Sequence, residues 1–196
     1  MLAMCTGWCV ALGGTTAVDT IASALYTSNS PRTEVGLVLQ RCLLALGLLY
    51  LPAAGLWWFI KPVLVVLGQG EELATNCQAF LRVLSFGGPG YIAFESVKKF
   101  LQCQGIMHAS TVVLVITSPL NVGLNYVLVY KTSLGFIGAA VATSITYWLS
   151  FALLVGYCRF VRGSECWGGW DRRCLERLPE FLKLAVPGIL HVGTEW

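Results

Sequence analysis

Apolar residues in this chain come in long runs rather than at alternate positions, and short polar stretches separate the runs. They cover residues 1–24, 41–60, 75–97, 108–130 and 134–158, and a sixth begins at Phe181. At a rise of ~1.5 Å per residue, roughly 20 apolar residues cross a bilayer core about 30 Å thick. Each full run therefore predicts a membrane-spanning helix. Breakers punctuate them: Pro52 in the second, Gly87-Gly88-Pro89-Gly90 in the third, and Pro119 in the fourth. Such breaks are tolerated where neighbouring helices or a wet cavity take up the freed carbonyls. The Gly-Gly-Pro-Gly run reads as a packing kink against a close neighbour, with a hinge or an unwound turn as the sharper alternative. Gly135, Gly138, Ala139 and Ala142 open the fifth run at the spacing that lets two helices approach closely.

The polar stretches between the runs alternate between the two sides of the membrane. One side receives Arg32, Arg41, Lys98, Lys99, Arg159, Arg162, Arg172, Arg173, Arg177 and Lys183; the other receives Lys61 and Lys131, with Arg82 near the outer end of the third run. Cytoplasmic loops carry the excess of Lys and Arg, so the first side is expected to be cytoplasmic. Within the basic stretch 98–105, Glu95 precedes Lys98 and Lys99 by three and four residues and is expected to pair with them. Residues 175–180 are expected to lie along the membrane surface.

Composition points the same way. Hydrophobic residues make up 56% of the chain, charged residues only 12%, and the mean hydropathy is +0.70. A soluble domain carries about 25% charged residues, so this chain is expected to be an all-α polytopic membrane protein whose first partner is the lipid bilayer. The net charge of +3 is spread over separate loops, which excludes a nucleic-acid patch. Six of the eight cysteines lie in or beside apolar runs, and Cys166 and Cys174 share a loop without a CxxC. They read as packing residues, with no metal site and no bound cofactor. No basic leader precedes the first run, and no Asn-x-Ser/Thr acceptor occurs. Nor is there a Gly-x-Ser-x-Gly or a phosphate-binding loop, so the chain is not expected to be an enzyme.

Candidate chemistry collects late in the chain. Glu195 lies roughly 18 Å beyond Lys183 along a helix, near or past the bilayer midplane. An acid at that depth is costly unless it faces a polar cavity or is protonated, which makes it a functional candidate. His191 stands one turn earlier on the same face, either as a proton relay or as a packing histidine. Asn121 and Asn125 share a face in the fourth run, which must turn inward, to an interhelical hydrogen bond or to a substrate. Trp196 is a further substrate candidate, since an indole face attracts organic cations.

Several motifs resemble one transporter family. Ala17-Val18-Asp19-Thr20-Ile21-Ala22-Ser23-Ala24-Leu25-Tyr26, followed by Val38-Leu39-Gln40-Arg41, is similar to the second-to-third helix junction of multidrug and toxic compound extrusion (MATE) transporters. Phe100-Leu101-Gln102-Cys103-Gln104-Gly105 resembles the loop after the family's fourth helix, with Gln102, Gln104 and Gly105 as motif positions beside Asp19, Gln40 and Arg41. Trp167-Gly168-Gly169-Trp170 and Glu180-Phe181-Leu182-Lys183-Leu184-Ala185-Val186-Pro187, ending in Glu195-Trp196, resemble the approach to and body of the seventh helix of eukaryotic members. The Phe94-to-Lys99 run is most similar to fungal ones. The sequence departs from the family at Ala24, where Gln is usual, and at Thr27-Ser28, where Gly-Ala is usual.

The resemblance implies a twelve-helix antiporter of two six-helix lobes, opening alternately to either side. Residues 1–178 would supply family helices two to six and the following loop, and residues 179–196 the start of helix seven, so the chain is expected to be a fragment. The implied activity is export of small organic cations in exchange for protons or sodium. Glu195 and His191 would form the coupling site, and Trp196, Asn121 and Asn125 would be the substrate contacts. The expected membrane is plasma or vacuolar, and no obligate protein partner is evident. The alternatives are a flippase for a lipid-linked substrate, a non-transporting membrane scaffold, or a truncated gene product.

Overall fold

The computed structural model describes residues 4–27, 33–161, 163, 169, 174 and 178–195. Seven α-helices run through them: α1 (Cys9–Thr27), α2 (Thr33–Trp58), α3 (Ile60–Val66), α4 (Glu71–Cys103), α5 (His108–Tyr126), α6 (Phe136–Phe160) and α7 (Leu178–Glu195). Single π-helical turns precede α1 at Met4–Trp8 and follow α5 at Val127–Lys131. No strand occurs among the described residues.

Each apolar run became a helix, but several outgrew it. α2 starts at Thr33, eight residues before the second run, because Val35, Val38, Leu39 and Gln40 are buried against its neighbours. The stretch 98–105, expected to be a loop, is helical as far as Cys103. Pro52, Pro89, Pro119 and Pro187 all lie inside helices. α7 begins at Leu178, so half of the stretch 175–180 belongs to it. Four helical spans, Thr6–Thr27, Glu34–Trp58, His108–Lys131 and Phe136–Phe160, are long and apolar enough to cross a membrane. α4 is longer than any of them, ~50 Å for its 33 residues, but its Gly-Gly-Pro-Gly run and its polar and charged residues leave it less apolar than those four.

The reason is position. α4 is the central helix, packed on α6, α2, α1 and α3, while α5 lies outside on α6 and α7 lies mainly on α1. Polar groups on α4 find partners that a peripheral helix would not offer. α5 instead turns Val112, Val115, Ile116 and Val122 outward, as the lipid-facing helix of a multi-pass protein does.

The Gly-Gly-Pro-Gly run stays helical and forms a packing joint, not an unwound turn. Pro89 has no N–H, which frees the carbonyl four residues back at Ser85. The Tyr50 hydroxyl of α2 donates to that carbonyl at 3.1 Å, and the Trp148 indole of α6 donates to the Phe86 carbonyl at 3.0 Å. The glycines make room for these side chains. A Cβ on Gly88 would lie 2.7 Å from Tyr50 Cε2, and one on Gly87 would lie 2.7 Å from Ser144 Oγ.

Polar contacts mark the two ends of the bundle. At one, Gln78 and Arg82 donate to the Trp58 carbonyl that closes α2, with the Arg82 guanidinium 5.6 Å from the Trp58 ring centre. At the other, Lys99 pairs with Asp19 across α4 and α1. From Arg82 to Lys99 the helix rises ~26 Å, close to the thickness of a bilayer core.

Candidate functional site

α7 carries the expected coupling residues, and the way it is seated decides where they stand. Phe181 and Ala185 are buried, and the following turn, Pro187-Gly188, crosses α1 at Gly13. A Cβ on Gly188 would lie 2.5 Å from the Gly13 carbonyl oxygen, and one on Gly13 would lie 2.6 Å from that of Gly188. Two backbones touch here, which only residues without side chains permit. Beyond the crossing α7 continues unbroken through His191 to Glu195, so the two stand one turn apart as expected. His191 is exposed, and its carbonyl accepts a 2.7 Å hydrogen bond from Thr194 Oγ1. Trp196 and the Glu195 side chain lie outside the described residues.

Asn121 and Asn125 do share a face. Asn121 Nδ2 donates to Thr146 Oγ1 of α6 at 2.9 Å, and Asn125 Nδ2 donates to the Asn121 carbonyl at 2.9 Å. The inward turn expected of them is therefore filled by an interhelical hydrogen bond. The structure does not bring this pair to α7: α5 packs mainly on α6, while α7 packs mainly on α1.

The motif residues collect at the end of the bundle marked by Asp19. Its carboxylate lies 2.6 Å from Lys99 Nζ, tying α1 to α4. Gln40, almost fully buried, donates through Nε2 to the Gly169 carbonyl at 2.5 Å, joining α2 to the loop ahead of α7. Arg41 follows it, half-buried. Gln102, Gln104 and Gly105 end α4. The Gly105 N–H bonds to the Gln102 carbonyl and the Ile106 N–H to the Leu101 carbonyl, at 2.9 and 3.0 Å. This paired closure needs a left-handed residue, and Gly105 has φ +79°. The motif is thus a helix stop, with Gln104 Nε2 bonded back to the Phe100 carbonyl at 3.2 Å.

Glu95 differs from expectation. It pairs with Lys98 alone, because Lys99 points to Asp19. Lys98 Nζ donates to Oε1 at 2.7 Å and lies 2.6 Å from Oε2, yet Oε2 receives no well-directed hydrogen bond. Close by, Trp8, Tyr91 and Tyr147 stack with ring centres 4.9 to 5.6 Å apart. The i, i+3 spacing revealed the Lys98 pair; nothing in the spacing revealed that the carboxylate is 4% exposed. Cys103, beside the Asp19–Lys99 pair, has its thiol pKa raised, by burial first and the Asp19 charge second, with Lys99 opposing. Among the described residues no three His, Cys, Asp or Glu side chains converge as a metal site requires.

Comparison with known proteins places the chain. The MatE family model matches residues 1–127. A transporter of Saccharomyces cerevisiae is 40% identical over 185 residues, 93% of this chain and 26% of its own length. Protein DETOXIFICATION 16 of Arabidopsis thaliana is 32% identical over 97% of this chain and 39% of its own length. Multidrug and toxin extrusion protein 2 of Mus musculus is 30% identical over 97% and 33% respectively. The crystal structure of the eukaryotic MATE transporter AtDTX14 superposes with a TM-score of 0.91 over 99% of this chain and 43% of that one, at 24% identity, which establishes a shared fold. The chain thus spans between a quarter and two fifths of the length of these curated relatives.

Proposed function

The chain belongs to the MatE family, and on that premise we propose that it serves a secondary antiporter exporting organic cations in exchange for protons or sodium, with Glu195 as the coupling acid. In this reading, residues 1–178 contribute most of the first lobe and α7 opens the second. The observation that carries it is the placement of Glu195. It ends an apolar helix that is held on α1 by a backbone crossing, one turn beyond His191. Desolvation disfavours a charged carboxylate there, so it holds either a proton or a cationic substrate. Competition of two occupants for one site is what couples their opposed movements. His191 relays protons to it, and Trp196 offers an indole face to the organic cation. Asn121 positions α5 on α6 through Thr146, with Asn125 bonded back to Asn121.

The test uses a chimera in which this sequence replaces the matching region of the Saccharomyces cerevisiae relative, in vesicles. Glu195→Gln is expected to abolish efflux driven by a pH gradient while leaving folding and membrane insertion intact. Exchange at the unsubstituted rate in that variant would remove Glu195 from the mechanism.

A further inference from the structure

A carboxylate buried among apolar helices persists only with a partner, and the partner of Glu95 is unusual in being the next turn of its own helix. Lys98 Nζ bonds Oε1 at 2.7 Å and stands 2.6 Å from Oε2, so one ammonium faces both oxygens of the carboxylate, and the buried Oε2 receives no well-directed hydrogen bond. The two ends of the pair differ in access: the Lys98 side chain is 20% exposed and that of Glu95 5%. The ammonium also lies 5.8 Å from the centre of the Phe94 ring. The groups that feel the Glu95 charge are Tyr91, one turn earlier on α4, and Tyr147 on α6. Asp19 of α1 is neutralised by Lys99. The spot therefore combines a desolvated carboxylate held by a single ammonium, aromatic faces that favour cations, and a lysine stem leading out to water.

We propose that Glu95 is a second cation-binding carboxylate of this chain, suited to alkylammonium ions, and that Lys98 is its tethered occupant. A free ammonium enters as Lys98 swings its head into solvent, and Glu95 then exchanges one counter-ion for another without being left bare. Uncompensated burial of that charge would be costly, so the tether keeps the site closed until a competitor arrives. The site is on α4, apart from Glu195, and does not depend on the exchanger reading.

The test is thermal unfolding of the whole transporter carrying this sequence, with n-propylammonium chloride as probe and n-propanol and sodium chloride as controls. Lys98→Ala is expected to lower the melting temperature, and propylammonium to restore most of the loss in a saturable way. The unsubstituted protein, with its own occupant in place, is expected to need about tenfold more amine for an equal shift. Glu95→Gln, alone or combined with Lys98→Ala, is expected not to respond, and Glu195→Gln to respond as the parent does. Equal rescue by propanol or sodium chloride overturns the proposal, as does rescue that survives Glu95→Gln. If Lys98→Ala does not fold, the comparison of the parent with Glu95→Gln decides alone: a parent shift that survives in Glu95→Gln overturns it. Failure here with loss of exchange in Glu195→Gln would leave the proposed function standing.

Discussion

Two of the glycine contacts between helices of this bundle are built differently. At Gly87–Gly90 of α4 the glycines admit side chains: Tyr50 and Trp148 enter and donate to the Ser85 and Phe86 carbonyls. At Gly13 and Gly188 backbone meets backbone across α1 and α7, and the side chain against the crossing is the short one of Thr16, whose Oγ1 lies beside Gly188. Directional hydrogen bonds fix the first contact in one register, because a shifted helix would leave a carbonyl bare in an apolar wall. The second rests on close dispersion contact, with Thr16 Oγ1 bonded back at 2.6 Å to the Gly13 carbonyl of its own helix. The lesson is that proline and glycine in a membrane helix need not mark a moving part. What fills the gap decides.

The largest break is expected at the second contact. Gly188→Val would drive a branched side chain onto Thr16 Oγ1 and the Gly13 carbonyl, of which the carbonyl cannot rotate away, at a cost of about 3 kcal/mol from overpacking. Loss of monodisperse protein in size-exclusion chromatography is the readout, and Gly188→Ala should show a lesser loss. At the first contact the obstacle is a side chain. Gly88→Ala should cost about 2 kcal/mol and be partly relieved by adding Tyr50→Ala, so that the double substitution destabilises by less than the sum. Strict additivity in thermal unfolding would mean that Tyr50 does not fill the gap.

Tyr50→Phe keeps the ring and removes only the donor to Ser85, for an expected loss of about 1 kcal/mol. An unchanged melting temperature would show that this hydrogen bond fixes nothing. The smallest stability effect is expected at Asp19→Asn, since the Asp19 side chain is 41% exposed and its pair with Lys99 is screened, worth about 0.5 kcal/mol and less in high salt. Asp19→Asn has a second readout. Cys103 has a raised pKa in part through Asp19, so near neutral pH its thiol is protonated and alkylates slowly. Removing the Asp19 charge should lower that pKa, and alkylation of a variant with Cys103 as its sole cysteine should reach half-rate at a lower pH. Burial, the larger cause, persists, so the curve should move only part of the way to that of a free thiol.

Much of this fold was legible because bilayer burial writes a coarse, local signal. Twenty apolar residues in a row can do little else, and six runs became helices. The edges were misread where burial was amphipathic: 98–103 opens on two lysines, and 33–40 sets four aliphatic residues between Thr33-Glu34 and Gln40, yet one face of each is covered. Gln40 shows why, since its polar side chain is paid for by a carbonyl 129 positions away at Gly169. The Gln104-Gly105 stop was recognisable as a motif, while its chemistry became plain only with the positive φ of Gly105.

Sequence alone determined that the chain is a bundle of membrane helices and that His191 and Glu195 share a helix face. Those properties depend on spacing along one element. Tertiary structure decided which lysine answers Glu95, which carbonyls Tyr50 and Trp148 complete, and where α7 crosses α1. Each turns on a meeting between residues far apart in the chain (for Glu95, the pairing of Lys99 with Asp19, which leaves Lys98 as its partner), and such meetings depend on how helices lie across one another, which no local pattern specifies.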